Sequence, residues 1–218
     1  MTTFVALPDV HSKTNLLHGL SDDLRAADAV LLPGDMTCGS MSHLVHLMDV
    51  IHGYNENIFA VPGNMDTVAM LAHLSEYGMN VHRTHVILDE IAICGVGGAL
   101  PFYGKFVFSE EELTQFLDEC IVDVPEGMPK ILLCHQPPFD TINDVIDSKK
   151  HVGSKSVRAF IEREQPLICF TGHIHEATGI DHIGATKIIN PGMIARNHSY
   201  AWAEIKNGAV TALEIRHL

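Results

Sequence analysis

Phe170-Thr171-Gly172-His173-Ile174-His175 is the stretch from which the fold can be argued, and it begins at the last residue of a short apolar run at 167–170. A strand that ends in a glycine turn places the next side chains at its carboxyl edge, where open α/β sheets bind ligands. Two histidines separated by one residue are a metal-ligand pattern, although a weak one alone. The pattern gains weight because four other stretches of the chain are built in the same way.

Each of these four stretches has a run of apolar residues without polar alternation, which is typical of a strand covered on both faces. Aspartate, asparagine or histidine follows each run closely, so each strand delivers polar side chains where it ends. The runs are 4–7, 29–32, 58–61 and 131–134, and the residues delivered are Asp9 and His11, Asp35, Asn64 and Asp66, and His135. Five such stretches predict one shared site at the edge of the sheets.

Helical and strand patterns between these runs predict the rest of the fold. Helices are expected over 16–24, 40–52, 67–77, 109–121 and 155–164, with a capping box formed by Ser109 and Glu112. In the third helix, Val68, Leu71 and Ala72 are expected to face inward. A hairpin is predicted at 86–94, a loop near the site at 137–154, and strands at 186–189, 200–205 and 209–215, the last two joined by a tight turn at 207–208.

Strands that alternate with helices early and form hairpins late predict an α/β fold. Its two mixed sheets would pack together with helices on the outside, in a single domain spanning 1–218.

Composition narrows the function classes. The net charge of −13 comes from 14 Lys+Arg against 27 Asp+Glu, which makes long nucleic acid an unfavourable partner. A nucleotide substrate is not excluded, because bound metal ions would reverse the local field. No apolar stretch approaches the roughly 20 residues of a membrane span, and the chain opens without a basic, signal-like segment. Five cysteines (38, 94, 120, 134 and 169) without C-x-x-C spacing are interpreted as reduced core thiols, so we expect a cytoplasmic protein.

The delivered side chains suit a transition-metal site. Two carboxylates, one amide and four imidazoles form the predicted ligand set: Asp9, His11, Asp35, Asn64, His135, His173 and His175. Mixed oxygen and nitrogen ligands favour Mn, Fe, Zn, Co or Ni over Mg and Ca. Seven ligands are too many for one tetrahedral ion but suit two ions that share a bridging carboxylate. Such a pair activates water at neutral pH, which predicts in-line attack of a metal-bridging hydroxide on a phosphorus ester.

The motifs D-x-H, G-D, G-N-x-D, a lone H after a strand, and G-H-x-H, in this order, resemble those of the calcineurin-like metallophosphoesterases. The stretches at 151–154 and 165–166, with Gly172 to Glu176, are similar to a small subgroup of predicted phosphoesterases related to class III cyclic-nucleotide phosphodiesterases. The resemblance implies a four-layer sandwich and two divalent ions, most often Mn²⁺. It also implies one site with Asp9, His11, Asp35 and His175, and another with Asp35, Asn64, His135 and His173, so that Asp35 bridges them. Small family members lead us to expect a homo-oligomer.

The chain departs from the family pattern at two positions. Cys38 stands where the second motif usually ends in aspartate, and Met65 stands where the third usually has histidine. That histidine is commonly assigned to phosphate stabilisation or to protonation of the leaving group, and methionine has no proton to give. We therefore expect a preference for good leaving groups, unless His151 or His198 supplies the proton.

Residue roles follow as predictions. The candidate catalytic residues are Asp35, Asn64, Asp66 and His135, although Asp66 could equally orient the Asn64 loop. The candidate substrate-binding residues are Asn64, His151, Arg196 and His198. Cys38 is expected to be a packed thiol.

The predicted activity is hydrolysis of a small phosphodiester, such as a nucleotide. The alternatives are a phosphomonoesterase and a non-catalytic scaffold like the retromer subunit of this fold. Met65 favours the scaffold, and the intact ligand set argues against it.

Overall fold

The computed structural model describes residues 1–218 and contains a first mixed sheet of five strands. Its strands are β1 Thr2–Ala6, β2 Ala29–Pro33, β3 Ile58–Val61, β10 Ser199–Lys206 and β11 Ala209–His217. Their order is β11-β10-β1-β2-β3, with β1, β2 and β3 parallel and β10 antiparallel to both of its neighbours. The carboxyl ends of β1, β2 and β3 therefore meet at one edge of this sheet.

The second mixed sheet has six strands. They are β4 Thr84–Leu88, β5 Ile91–Val96, β6 Lys130–Cys134, β7 Ile168–Phe170, β8 Gly179–Ile183 and β9 Thr186–Asn190. Their order is β4-β5-β6-β7-β9-β8, with β5, β6, β7 and β9 parallel and the two edge strands antiparallel. The strand β8 was not predicted from the sequence.

Helices cover the outer faces of both sheets. The α-helices are α1 Ser21–Ala26, α2 Met41–His52, α3 Val68–Glu76, α4 Glu110–Cys120, α5 Lys155–Glu164 and α6 Ile194–Asn197. Short 3-10 helices span Thr14–Leu20 and Ile142–Asp144. The single helix predicted over 16–24 is thus a 3-10 turn that continues into α1.

Three apolar cores divide the molecule into layers. Along β1, Val5 points into a core with α2 and α3, while Phe4 points into a core between the sheets. A third core joins the outer face of the second sheet to α4 and α5, through residues such as Leu113 and Phe160. The order helix, sheet, sheet, helix confirms the predicted α/β sandwich of four layers.

Local sequence signals predicted a helix start and a turn correctly. Ser109 and Glu112 form the predicted capping box, each side chain accepting the backbone N–H of the other residue. Both residues of the 207–208 turn have positive φ, as a tight hairpin requires.

The inward face predicted for α3 is wrong. Val68 is 72% exposed and Ala72 is exposed, whereas Met70 and Leu74 are fully buried. Thr67 is the N-cap, so the helix begins one residue later than predicted, and Met70 and Leu74, four residues apart, define the face that packs on the core.

All five cysteines are free, and four of them are buried. Cys38 is exposed, so its interpretation as a packed thiol is wrong. No helix is long and apolar enough to cross a membrane.

Candidate metal centre

The predicted ligands converge where the parallel strands of both sheets end. Asp9 and His11 follow β1, Asp35 follows β2, and Asn64 follows β3. From the second sheet, His135 follows β6, and His173 and His175 follow β7. Because the two sheets pack face to face, these loops lie side by side at one end of the sandwich.

The backbone around the ligands is tightly constrained. Asp9, His11, Asp35 and His173 all have φ between 45° and 67°, a left-handed conformation that is uncommon outside glycine. Such residues cluster at functional sites, where surrounding structure holds them in place. The motif glycine Gly63 is needed for a different reason, since a Cβ at this position would collide with the Asp35 carboxylate.

A first group of facing ligand atoms is formed by Asp9, His11 and His175. His11 Nε2 lies 3.3 Å from His175 Nε2, and Asp9 Oδ1 lies 3.8 Å and 3.3 Å from these two nitrogens. The other Asp9 oxygen accepts the His173 N–H at 2.9 Å, whereas Oδ1 is buried without a hydrogen-bond partner. An orphaned, fully buried carboxylate oxygen facing two imidazole nitrogens fits a bound cation.

A second group of facing ligand atoms is formed by Asp9, Asp35 and His135, and Asn64 contacts its histidine. His135 Nδ1 lies 2.8 Å from the Pro33 carbonyl, which can only accept, so the N–H of a neutral ring is on Nδ1. The Nε2 lone pair then faces Asn64 Oδ1 at 3.0 Å, and this oxygen is also an acceptor. Asn64 keeps that orientation because its Nδ2 donates to the Tyr103 carbonyl at 3.0 Å. Two acceptors that face each other fit a cation between them.

Asp35 lies between the two groups. Its Oδ2 is 3.8 Å from His11 Nε2 and 3.7 Å from His135 Nε2. Its Oδ1 accepts the Met65 N–H at 2.8 Å, which fixes the carboxylate. Because this one oxygen lies at similar distances from ligands of both groups, it fits the role of a shared, bridging ligand.

Burial shifts the pKa values of several ligands, whereas the Asp9 carboxylate raises that of His175. Burial raises the pKa of Asp35 to about 6, because the ionised carboxylate is poorly solvated. Desolvation lowers the pKa of His173 to about 3 and also lowers the pKa of His11. These two imidazoles are therefore neutral near pH 7, as metal ligands must be.

His173 is placed differently from the other ligands. Its ring packs against the His135 ring at a centroid distance of 5.0 Å. Its nitrogens belong to neither of the two ligand groups described above. It also lines an apolar recess, described below.

Asp66 makes contacts that are structural in kind. Its carboxylate is fully buried and accepts the backbone N–H groups of Met36, Thr37 and Gly63 at 2.9–3.3 Å. Burial raises its pKa to about 6. These bonds tie the loop after β3 to the loop after β2, which supports the orienting role over direct catalysis.

A recess of about 570 Å³ adjoins the ligands on the β3 side, and Asn64 and Met65 lie in its wall. Phe102 and Tyr103, which are 97% and 67% exposed, form its rim, and Cys38 also lines it. Sequence reasoning missed this aromatic pair, for which the available signal was two adjacent aromatic residues followed by Gly104. It also missed that the Cys38 thiol lies 3.5 Å from His11 Nδ1.

Three predicted substrate-binding residues make no hydrogen bond or ion pair with the ligands. The His151 Nδ1 contacts the Asp144 carboxylate at 2.6 Å, and its ring packs against Phe139. Arg196, on α6, and His198, which directly follows α6, are exposed, and neither side chain makes a hydrogen bond or ion pair. Their roles stay predictions without a supporting contact.

Comparison with known proteins agrees with this architecture. The model of the calcineurin-like phosphoesterase superfamily domain matches residues 3–208. An uncharacterised protein of Methanocaldococcus jannaschii is 33% identical over 195 residues, which cover 86% of each chain.

Solved structures show the same fold. A Thermus thermophilus structure has a TM-score of 0.75 at 19% identity and covers 99% of this chain and 98% of its own. Vps29 from Entamoeba histolytica, solved with Zn²⁺, has a TM-score of 0.53 at 13% identity and covers 100% and 98%. The chain therefore belongs to the calcineurin-like phosphoesterase superfamily, a family of metal-dependent hydrolases of phosphate esters.

Proposed function

We propose that this protein is a phosphodiesterase for a small molecule or nucleotide. It would hold two divalent ions, for which we propose Mn²⁺. Asp9, His11 and His175 would hold one ion, Asn64, His135 and His173 the other, and Asp35 would bridge them. The observation that carries the proposal is the position of Asp35 Oδ2, 3.8 Å from His11 Nε2 and 3.7 Å from His135 Nε2. Fe, Zn, Co or Ni also suit this mixture of nitrogen and oxygen ligands.

When bound, two such ions supply positive charge for the phosphoryl oxygens and acidify water held between them. The chain's own residues hold that arrangement rigid. The Pro33 carbonyl fixes the tautomer and orientation of the His135 ring, and the Met65 N–H holds the Asp35 carboxylate. Such outer contacts orient metal ligands and are needed for full affinity.

Protonation of the leaving group is the step for which the site lacks an evident donor. Met65 lies in the wall of the recess beside Asn64 and has no acidic proton. His151 is engaged with Asp144, so it offers no free Nδ1. We therefore propose that esters with good leaving groups are cleaved much faster than alkyl esters.

Two other functions remain as alternatives. A phosphomonoesterase would use the same ligands. A metal-binding scaffold of the same fold, which Met65 favours, would bind metal without turnover. The orphaned Asp9 oxygen and the facing acceptors at Asn64 and His135 support a working metal site, and the diesterase is the activity we propose.

The test uses metal-stripped protein reconstituted with Mn²⁺ and two substrates, bis(p-nitrophenyl) phosphate and p-nitrophenyl phosphate. We expect Mn²⁺-dependent cleavage, faster for the diester and reduced at least about 100-fold in Asp35→Ala. Faster cleavage of the monoester would establish the phosphomonoesterase instead. Two bound ions without turnover of either ester would favour the scaffold.

A further inference from the structure

A second recess, which we call the apolar recess, lies beside the metal ligands on the second sheet's side. Its volume is about 390 Å³, within the range of about 300–1,000 Å³ for small-molecule sites. Its apolar walls are formed by Leu100, Pro101, Phe102, Ile146, Val152 and Ile174. The remaining two lining residues are Gln136 and His173.

Two polar side chains line the apolar recess, and one of them, Gln136, is bound within the protein. Gln136 is 1% exposed, and its Oε1 accepts the Leu100 N–H at 2.9 Å. Its Nε2 donates to the Val152 carbonyl at 3.1 Å. Gln136 therefore joins two of the wall-forming loops, and each of its polar atoms is committed to one bond within the protein.

The backbone of three wall residues is equally engaged. The Val152 N–H donates to the Asp144 carbonyl, and the Ile146 N–H and C=O bond to Lys150 and Lys149. The Ile174 N–H donates to Gly172, and its carbonyl accepts from Ala177 and from Asn190 Nδ2. A polar group placed against these walls would lose its hydrogen bonds to water without replacement.

The apolar recess is continuous with the metal centre. His173, a predicted metal ligand whose ring packs on His135, is part of its wall. Phe102 lines both this recess and the recess beside Asn64 and Met65. A phosphoryl group held at the metals would therefore have an apolar chamber next to it.

We propose that the apolar recess binds an apolar substituent of the phosphate ester, an aryl or branched alkyl group. The inference rests on the proposed function, since it names the substrate class of the same site. The recess would favour an ester with an apolar group over a nucleotide, because the base of a nucleotide presents several polar edges. A pocket of this kind discriminates about 10- to 200-fold for each well-buried apolar increment.

The experiment measures binding rather than turnover. Phenylphosphonate, methylphosphonate and inorganic phosphate are titrated into Mn²⁺-loaded protein by calorimetry. We expect phenylphosphonate to bind at least about tenfold more tightly than methylphosphonate. In Val152→Trp, which fills the recess, that preference should disappear while inorganic phosphate binds within about twofold of the parent protein.

Val122→Trp is the matched control, because Val122 is 59% exposed and lines no part of the recess. It should keep the phenyl preference. If Val152→Trp fails to bind phosphate, Ile146→Trp fills the same recess from the same loop. Equal binding of the two phosphonates by the parent protein, absence of binding, or a preference that survives both filling variants would overturn the inference.

These outcomes are independent of catalysis. If the parent protein does not cleave the diester but still prefers phenylphosphonate, the proposed function is wrong and the apolar recess remains a binding site for an apolar group. Diester cleavage that depends on Asp35, without any phenyl preference, would end the inference alone.

Discussion

Asp35 lies close to nitrogens of both ligand groups, because its Oδ2 is 3.8 Å from His11 Nε2 and 3.7 Å from His135 Nε2. We expect Asp35→Asn to lower bound Mn²⁺ from about two ions per chain to one or fewer, since an amide is a weaker ligand and cannot bridge as a carboxylate does. Elemental analysis after gel filtration measures the ratio. Asp140→Asn is the control, because the Asp140 side chain is 64% exposed and should leave the ratio unchanged. Two retained ions in Asp35→Asn would contradict the bridging role.

Asp66 differs from Asp35 because its carboxylate bonds only to backbone N–H groups of the site loops. Asp66→Ala leaves three donors without their partner, and each unsatisfied buried donor costs about 1–3 kcal/mol. We expect the free energy of unfolding of the metal-free protein to fall by at least about 2 kcal/mol in urea titrations. A loss of activity without any loss of stability would instead assign Asp66 to the chemistry.

Met65 permits a gain-of-function experiment. Met65→His would restore a proton donor in the recess beside Asn64. General acid catalysis contributes about 10²- to 10⁴-fold, so cleavage of an alkyl leaving group should rise by at least about tenfold. Cleavage of p-nitrophenyl esters should change little, because nitrophenolate leaves without a proton. No gain on alkyl esters, together with a loss in His198→Ala, would place the donor at His198.

At this scale the sequence predicted which residues converge but not what surrounds them. Strand ends followed by Asp, Asn or His locate the site, because parallel strands deliver such residues to one edge. The partner of His151 and the exposure of Cys38 depend on how distant loops pack. No local pattern in the sequence encodes those contacts.

The loop between β6 and α5 is held by an interaction that should depend on pH. Its His151 ring contacts the buried Asp144 carboxylate, which raises the His151 pKa above its ordinary value of 6.5. Because folding raises this pKa, the interaction stabilises fully below about pH 6.5 and is lost as pH rises through the folded-state pKa.

His151→Ala should therefore lower the free energy of unfolding more at pH 5.5 than at pH 9, as measured by urea titration at both values. The control is His182→Ala, because the His182 side chain is 78% exposed. Its effect should be small at both pH values. An equal loss for His151→Ala at the two pH values would show that packing on Phe139, not charge, holds the loop.

Elements with strong end signals were predicted best. The start of α4 has its capping box, and α5 begins directly after the Ser154 N-cap, so both were located within one residue. The inward face of α3 was misjudged, because a short helix with apolar residues on several sides has no unique amphipathic face. The strand β8 was missed because Gly179, Asp181 and His182 leave its five residues without an apolar run.

At the scale of the whole molecule, the candidate metal site draws its residues from both sheets. Asp9 and Asp35 come from loops of the first sheet, and His135 and His175 from loops of the second. Ions bound there would add cross-links between two layers that otherwise meet through the apolar core around Phe4 and Phe170. The sequence predicted both layers from continuous apolar runs, because strands buried on both faces have no polar alternation.

Metal binding should therefore stabilise the entire fold. A ligand that binds only the native state adds about 2.7 kcal/mol at 100 times its Kd. For a chain of 218 residues, each kcal/mol raises Tm by about 2–4 °C, so saturating Mn²⁺ should raise Tm by about 5–11 °C over the chelator-treated protein. Calorimetric scans with and without Mn²⁺ measure the shift, and Asp35→Ala should lose most of it while Asp140→Ala keeps it. An equal shift in Asp35→Ala would mean that Mn²⁺ stabilises this acidic chain through its surface charge, because a site that needs Asp35 cannot respond to the metal without it.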